Sequence, residues 1–360
     1  MTGAGRQLYD DAKKTATCPH TDHPPVIHAY GFPRWKWRFV RRYFPGRTVQ
    51  FCSAEAKPPD SGALLLWGMA PHPAGLRANV QVIRMEDGFL RSVGLGAELT
   101  RPLSWVVDRR GIYYDATRTS DLEYMLEHGC FTPELIARAA ALRARVVAAG
   151  ITKYNVSGQQ WQRPAGKGRV ILVPGQVESD ASLAFGAPNL RTNMALLRAV
   201  RQAQPDAYLV YKPHPDVIAR LRKEGAEDGK AADWCDEIVT DVAMDELLNA
   251  VDEVQVITSL AGFEALLRGK RVVCHGSPFY AGWGLTDDVL THPRRTRRLT
   301  LDELVAAVLI LYPLYTGSSG LVAPEQALDE LEAWRTRDGE RTRPLRGIYR
   351  FFLRRFIGVR

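Results

Sequence analysis

Val173-Pro-Gly-Gln-Val-Glu-Ser-Asp180 and Tyr211-Lys-Pro-His-Pro-Asp216 each close a short apolar run, Val170-Ile-Leu-Val173 and Ala207-Tyr-Leu-Val210. Each then breaks into Pro, Gly and polar residues. That is how the carboxyl end of a buried parallel strand reads, and ligand chemistry in α/β folds gathers at such ends. One end carries the carboxylates Glu178 and Asp180. The other carries Lys212 and His214, donors that suit a phosphate. Acids facing cations across a cleft point to transfer of a group from a phosphorylated donor.

Working outward, the stretch from about 166 to 325 keeps a strand–helix rhythm. Glu237-Ile-Val239, Val254–Ile257 and Arg271–Cys274 read as strands, and 189–202, 217–224, 244–249 and 262–267 as helices. This predicts a doubly wound parallel sheet. Helices are also expected over 301–312 and 324–337. Upstream, Val26–Tyr30, Thr48–Phe51, Ala63–Trp67, Val80–Ile83 and Ser104–Val107 read as strands, with a helix near Trp35–Tyr43. Asp108-Arg-Arg-Gly111 reads as a hairpin turn leading to a strand at Ile112–Tyr114. Helical spacing covers 121–128 and 133–149, with Ser120 and Glu123 placed as a capping box. The expected organisation is a loose leader over 1–25, α/β domains over 26–165 and 166–325, and C-terminal helices over 326–360.

Composition narrows the function. The 360 residues are 46% hydrophobic and 24% charged, ordinary for a globular protein. No run approaches 18 apolar residues, and no apolar signal segment opens the chain, so a cytoplasmic location is expected. Five scattered cysteines include no C-x-x-C pair, which fits reduced thiols and gives no zinc spacing. The net charge of +8 is concentrated in two places: residues 34–47, and 341–360 with seven arginines and no acid. The second would form a basic amphipathic helix. It either docks on the protein or lies on an anionic membrane surface. No nucleic-acid-binding motif accompanies the charge.

Four further groups have both a plain and a chemical reading. Thr258-Ser-Leu-Ala-Gly262 follows a strand and opens a helix. Thr258, Ser259 and the first backbone N–H groups make a phosphate seat, or Ser259 is an ordinary cap. Gly262 would admit a ligand closely, and Glu264 would hold ribose hydroxyls. His214 sits between Pro213 and Pro215 in a stiff loop suited to a pre-aimed donor. Lys212 is a phosphate partner or a surface cation. Glu86-Asp-Gly88 is a turn or an acid/base pair, with Arg91 available to a sugar carboxylate. The aromatic, Gly-rich loop Phe279–Asp287 stacks on a ligand or packs an interface.

Taken in order, Glu86–Gly96, Gly111–Asp115, Thr152–Asn155, Val173–Asp180, Tyr211–Asp216, Thr258–Leu266 and Pro278–Thr286 closely resemble the KpsC-like β-Kdo transferase family of capsule biosynthesis. The similarity is to a single transferase module. The resemblance implies a GT-B-like fold of two Rossmann-like domains facing a cleft. Residues 26–165 then lie on the acceptor side and 166–325 bind the CMP-sugar. It implies retaining transfer of Kdo from CMP-Kdo to a Kdo-bearing glycolipid or oligosaccharide at the inner face of the cytoplasmic membrane. Neither a metal nor another cofactor is implied. Asp180 matches the family's catalytic Asp and is the candidate nucleophile, with Asp87 or Glu86, and Glu178 in reserve, as the group that deprotonates the acceptor. Lys212, His214, Pro215, Thr258, Ser259, Gly262 and Glu264 are the expected CMP and phosphate contacts, and Arg91, Gln176 and Glu178 the sugar and acceptor contacts. An inverting CMP-sugar transferase with Asp87 as base, and a non-catalytic polysaccharide-binding or export component, are the rival expectations.

Overall fold

The computed structural model describes residues 23–92, 102–153, 159–220, 222–223, 225, 227–317 and 320–341. The leader as far as residue 22 and the basic stretch beyond 341 lie outside the described residues. So do Val93–Gly96 and Tyr154–Asn155 of the motifs quoted above. The chain divides into two compact α/β units, and its fold is GT-B-like.

The first unit is built on a seven-stranded sheet. Its strands are β1 (Val26–Tyr30), β2 (Thr48–Cys52), β3 (Ala63–Trp67), β4 (Gln81–Asp87) and β5 (Ser104–Asp108), with β12 (Pro313–Gly317) and β13 (Gly320–Val322) from much later in the chain. The order is β13-β12-β5-β4-β3-β1-β2. β2, β1, β3 and β4 run parallel, while β5, β12 and β13 are antiparallel to their neighbours. Helix α1 (Arg34–Tyr43) turns Phe39, Val40 and Tyr43 onto this sheet and leaves its arginines in water. They join Ile27, Leu65, Ile83 and Trp105 in one buried apolar cluster, where each large side chain contributes ~1.5–3 kcal/mol.

The join of β12 to this sheet corrects the expected boundary at 325. Pro313, Leu314 and Tyr315 pair with Val106, Trp105 and Ser104 of β5, so this late segment belongs with the first unit. The helix before it also differs from expectation. Leu301–Val305 (α9) is α-helical, and Ala306–Leu311 then widens to a π-turn whose every side chain is buried. The boundary at 165 moves as well, because the second unit takes the chain from Arg143 onward.

The expected hairpin at 108–111 does not form. Asp108, fully buried, instead gathers four donors. Oδ1 accepts from the backbone N–H groups of Arg110 and Gly111, at 2.9 and 2.7 Å. Oδ2 accepts from Asp121 N–H at 2.9 Å and from the Tyr312 hydroxyl at 2.8 Å. This carboxylate ties β5 to α2 (Asp121–His128) and to the end of the π-turn. Such donors replace the ladder that a strand at 112–114 would have made. Ser120 caps α2 as expected, its hydroxyl accepting Glu123 N–H at 3.0 Å.

The second unit holds a six-stranded parallel sheet of order β11-β10-β9-β6-β7-β8. Its strands are β6 (Val170–Pro174), β7 (Tyr208–Lys212), β8 (Glu237–Ile238), β9 (Glu253–Val256), β10 (Arg271–Cys274) and β11 (Asp287–Asp288). The helices include α4 (Ala181–Gly186), α5 (Asn193–Ala203), α6 (Pro215–Ile218), α7 (Met244–Ala250) and α8 (Leu260–Leu267). α4 was not foreseen, α5 starts later than expected, and α6 is only four residues long. From β6 the chain winds outward through β7 and β8, then returns to β9 on the other side of β6. The strand order therefore reverses between β6 and β9, where open α/β sheets bind ligands.

Burial and the neighbouring Asp121 both raise the Asp108 pKa. Its folded-state pKa lies above the unfolded one, so ionising it opposes folding as pH rises through that window. The Tyr312 hydroxyl supports the ionised form. Tyr312→Phe should therefore destabilise the protein by ~1.5–3 kcal/mol at pH 7.5, and by less at pH 5, where the carboxyl takes up its proton. Urea unfolding at the two pH values checks both the magnitude and its direction.

Candidate active site

At the reversal point the loops leaving β6 and β9 are stitched together by one amide. Gln176 Nε2 donates to Thr258 Oγ1 at 2.8 Å and to Ser182 Oγ at 2.9 Å, while its Oε1 accepts Thr258 N–H at 3.4 Å. The Gln176 backbone is held in turn by the Asn193 amide, at 2.8 and 3.0 Å. Glu178 accepts Asn193 N–H at 2.8 Å, closing the first turn of α5.

Asp180 occupies the N-cap position of α4, yet its side chain makes no capping bond. Asp is among the favoured caps, and Thr192, His214 and Ser259 all cap with their side chains in this unit. The Asp180 carboxylate is thus left over, half-buried, at the switch point. Burial raises its pKa, and the Arg222 and Lys153 charges act against that rise.

His214 caps α6 by accepting Asp216 N–H on Nδ1 at 3.1 Å. A ring nitrogen that accepts carries no proton, so the proton sits on Nε2 and the imidazole presents an N–H donor. Burial, then Lys153 and Arg222, depress its pKa to about 3. Asp180 and His214 therefore feel the same two cations, which gathers the four residues in one region of the second unit.

Ser259 caps α8, its hydroxyl accepting Ala261 N–H at 3.3 Å. Gly262 has a structural reason. A Cβ there would come within 2.3 Å of the Tyr280 hydroxyl, which itself donates to Ser259 O. Glu264 is buried, with its pKa raised to about 7, and accepts Lys153 N–H at 2.7 Å. It fixes the backbone that carries Lys153. Lys212 donates from Nζ to Val242 O at 2.6 Å, and burial lowers its pKa to about 8. Pro215 opens α6, where its lack of an N–H costs nothing. The aromatic loop follows the packing reading. Tyr280 and Trp283 are fully buried, and the Arg295 guanidinium bonds Pro278 O and Ala281 O.

In the first unit, Glu86 and Asp87 end β4. Asp87 is held on both oxygens, with Oδ2 2.6 Å from Arg91 Nε and Oδ1 accepting Trp105 Nε1–H at 3.0 Å. Arg91, 3% exposed, is locked onto that carboxylate. Glu86 accepts Asp87 N–H at 2.9 Å and the Tyr114 hydroxyl at 3.3 Å. Gly68 makes room for this pair: a Cβ there would lie 2.7 Å from the Tyr114 hydroxyl and 2.9 Å from Glu86 Oε2.

The model of one protein family, described as capsule polysaccharide biosynthesis protein, matches residues 64–161 and 131–315. The chain belongs to that family. Its relative in Neisseria meningitidis serogroup A, the capsule polysaccharide modification protein LipA, is 41% identical over 326 residues. That alignment covers 87% of this chain and 46% of LipA, so the chain spans about half the relative's length. Thermosulfurimonas dismutans KpsC, beta Kdo 2,7 transferase, superposes with a TM-score of 0.72 at 39% identity, over 85% of this chain and 98% of that one. The KpsC beta Kdo 2,4 transferase gives 0.74 at 32%, over 87% and 99%. Among the described residues of this family member, no helix is long and apolar enough to cross a membrane.

Two residues gained importance only in three dimensions. Lys153 belongs to the Thr152–Asn155 motif, to which no role had been given, and Arg222 lies in a loop with no motif at all. Their shared influence on Asp180 and His214 is long-range in sequence, so no local pattern announces it.

His214→Asn should keep the cap, because Asn is a good N-cap acceptor. The folded His214 pKa of about 3 lies below the ordinary 6.5, so the unfolded chain binds the proton more tightly in that window. Stability therefore falls as pH drops from 6.5 toward 3. The Asn variant should flatten that acid limb of a melting-temperature profile. An unchanged limb would assign the acid sensitivity to other groups.

Proposed function

We propose that this protein is a retaining glycosyltransferase that moves Kdo from CMP-Kdo to a Kdo-bearing glycolipid or oligosaccharide. It would form β-Kdo linkages in capsule or related surface polysaccharide. Likeness to two KpsC β-Kdo transferase structures over nearly their whole length supports the reaction class. The observation that carries the chemistry is that Asp180, an N-cap acid with no capping bond, lies under the same cations as the neutral donor His214.

In this reading the Asp180 carboxylate attacks the anomeric carbon of the donor. The bond to the phosphate oxygen breaks, and its electron pair leaves with CMP. Burial strips water from the nucleophile and raises its pKa, while Lys153 and Arg222 favour its ionised form. His214 Nε2–H, the Ser259 turn and the first N–H groups of α8 stabilise the charge gathering on the phosphate. This assembly works on preformed donors and requires no metal. The acceptor hydroxyl then displaces Asp180 from the same carbon, inverting it a second time, and gives its proton to a base. Two displacements give net retention. Glu86 or Asp87 is the candidate for that base; Arg91 is ion-paired to Asp87, while the donors on Glu86 are the neutral Asp87 N–H and Tyr114 hydroxyl.

The test is purified protein with CMP-Kdo generated in situ and a β-Kdo-terminated lipid mimic. Mass spectrometry should show addition of Kdo, and NMR of the product a β anomer. Asp180→Ala should lose far more than tenfold in turnover, equivalent to about 1.4 kcal/mol, with CMP affinity nearly intact. A variant keeping more than a tenth of turnover would remove Asp180 from the role. Activity should persist in EDTA. Full inhibition reversed by one divalent ion would overturn the metal-free reading.

The reading also places the enzyme against the anionic inner face of the cytoplasmic membrane, where a glycolipid acceptor resides. Its support is the acid-free, arginine-rich sequence 341–360. Each arginine near such a surface contributes up to about 1 kcal/mol. Truncation at Gly339 should abolish salt-sensitive co-sedimentation with anionic liposomes at unchanged melting temperature. Failure of the intact protein to co-sediment would reject the membrane role.

A further inference from the structure

In the first unit, Lys36 is a cation set against partly exposed aromatic rings, unlike the arginines of α1, which lie in water. It lies on α1, and its Nζ sits 2.9 Å from the centroid of the Trp67 ring, with Trp35 and Trp105 further off at 5.5 and 5.9 Å. Trp67 is held for this by Phe32 and Trp105, whose rings meet it edge-on at 6.0 and 5.3 Å. Lys36 is part-exposed, as are Trp67 and Glu86. Among the described residues it forms no ion pair. Asp87 and Glu86 act on it only at longer range, while burial lowers its pKa.

This is an unusual place to keep an ammonium group. Removing its water costs free energy, and the Trp67 face returns only part of it. A carboxylate at contact distance would normally complete such a site. The neighbouring carboxylates are engaged elsewhere. Asp87 is held by Arg91 and Trp105, and Glu86 accepts from Asp87 N–H and Tyr114. Arg91, the arginine expected to hold a sugar acid, is buried on Asp87 and unavailable for it. That pairing also cancels one charge of each sign. Lys36 is left without a carboxylate at contact distance, beside partly exposed indole faces that suit the C–H face of a sugar.

Resting on the proposed Kdo transfer, we infer that Lys36 receives the carboxylate of an acidic acceptor sugar whose C–H face lies against the indoles beside it. Lys36 is then the residue that selects acceptors carrying an acid group, and it acts on acceptor binding rather than on donor cleavage.

The experiment pairs protein variants with acceptor variants. Wild type, Lys36→Met and Lys36→Arg are assayed with CMP-Kdo generated in situ and two lipid mimics. One mimic ends in Kdo with its free carboxylate. In the other that carboxylate is a primary carboxamide. Wild type should prefer the acid by on the order of tenfold to a hundredfold in kcat/KM, expressed mainly in KM, as a charge-assisted bond implies. Lys36→Met should lose a similar factor on the acid and little on the amide, so the preference collapses toward one. Lys36→Arg should recover part of it. Equal use of acid and amide by wild type overturns the inference without needing a variant. So does an equal loss on both acceptors in a Lys36→Met protein of unchanged melting temperature. No transfer to either mimic by wild type would overturn the proposed function, and the Lys36 inference with it.

Discussion

Gln176 is the joint on which the second unit's chemistry rests. A doubly wound sheet sends the loops after β6 and β9 to opposite sides, and the gap between them is where a ligand enters. Loops at such a gap would ordinarily be separate and soft. Here one side chain uses its amide to bond Thr258 and Ser182, its carbonyl to accept Thr258 N–H, and its backbone to engage Asn193. With its polar groups paired, the amide is nearly buried at little cost. The loop carrying Asp180 and the turn carrying Ser259 then behave as one rigid piece. The proposed transfer asks for that, because a nucleophile and a phosphate seat would need a fixed mutual position.

The electrostatics of this region follow from where each charge is anchored. Glu264 is buried far enough for its pKa to rise to about 7, yet it stays because it accepts Lys153 N–H. Through the backbone it holds a cation whose charge reaches both Asp180 and His214. The same cation acts on the two in opposite senses: it favours the ionised carboxylate and disfavours the protonated imidazole. At His214 this charge adds to burial, which already favours the neutral ring; at Asp180 it opposes burial, which disfavours the ion.

The parts of this architecture that are local in the chain were legible in the sequence. Short apolar runs ending in Pro or Gly marked β6 and β7 together with the loops that carry Asp180 and His214, and Ser120 with Glu123 marked the start of α2. What was illegible depends on distant partners. Asp108-Arg-Arg-Gly111 has the composition of a hairpin turn, but the Tyr312 hydroxyl and the Asp121 N–H, from far along the chain, turn Asp108 into a hub instead. Pro313–Gly317 has no signature of belonging to the first sheet, because its pairing with β5 is settled by register across some two hundred residues. Gly262 looked like room for a ligand because glycine near a helix start often is. The buried Tyr280 hydroxyl occupying that space is visible only in the fold. Arg91 was read by its chemistry alone, and its partner Asp87, four residues earlier, claims it.

Carboxylates in this protein separate by what their lone pairs already hold. Asp108 accepts four donors, Asp87 accepts Arg91 and Trp105, and Glu178 closes a helix. Each is a structural anion, and taking its partners away would leave donors or a charge buried and unpaired. Asp180 differs although its position is the one where capping is easiest. The N–H groups of Leu183 and Ala184 bond its backbone carbonyl, so α4 begins without help from the side chain. The helix gains little from having aspartate there, while burial makes the ion costly. Under the proposed function, that leaves a carboxylate whose cost to the fold is offset when an incoming electrophile becomes its partner, beside the His214 donor and under the charges of Lys153 and Arg222.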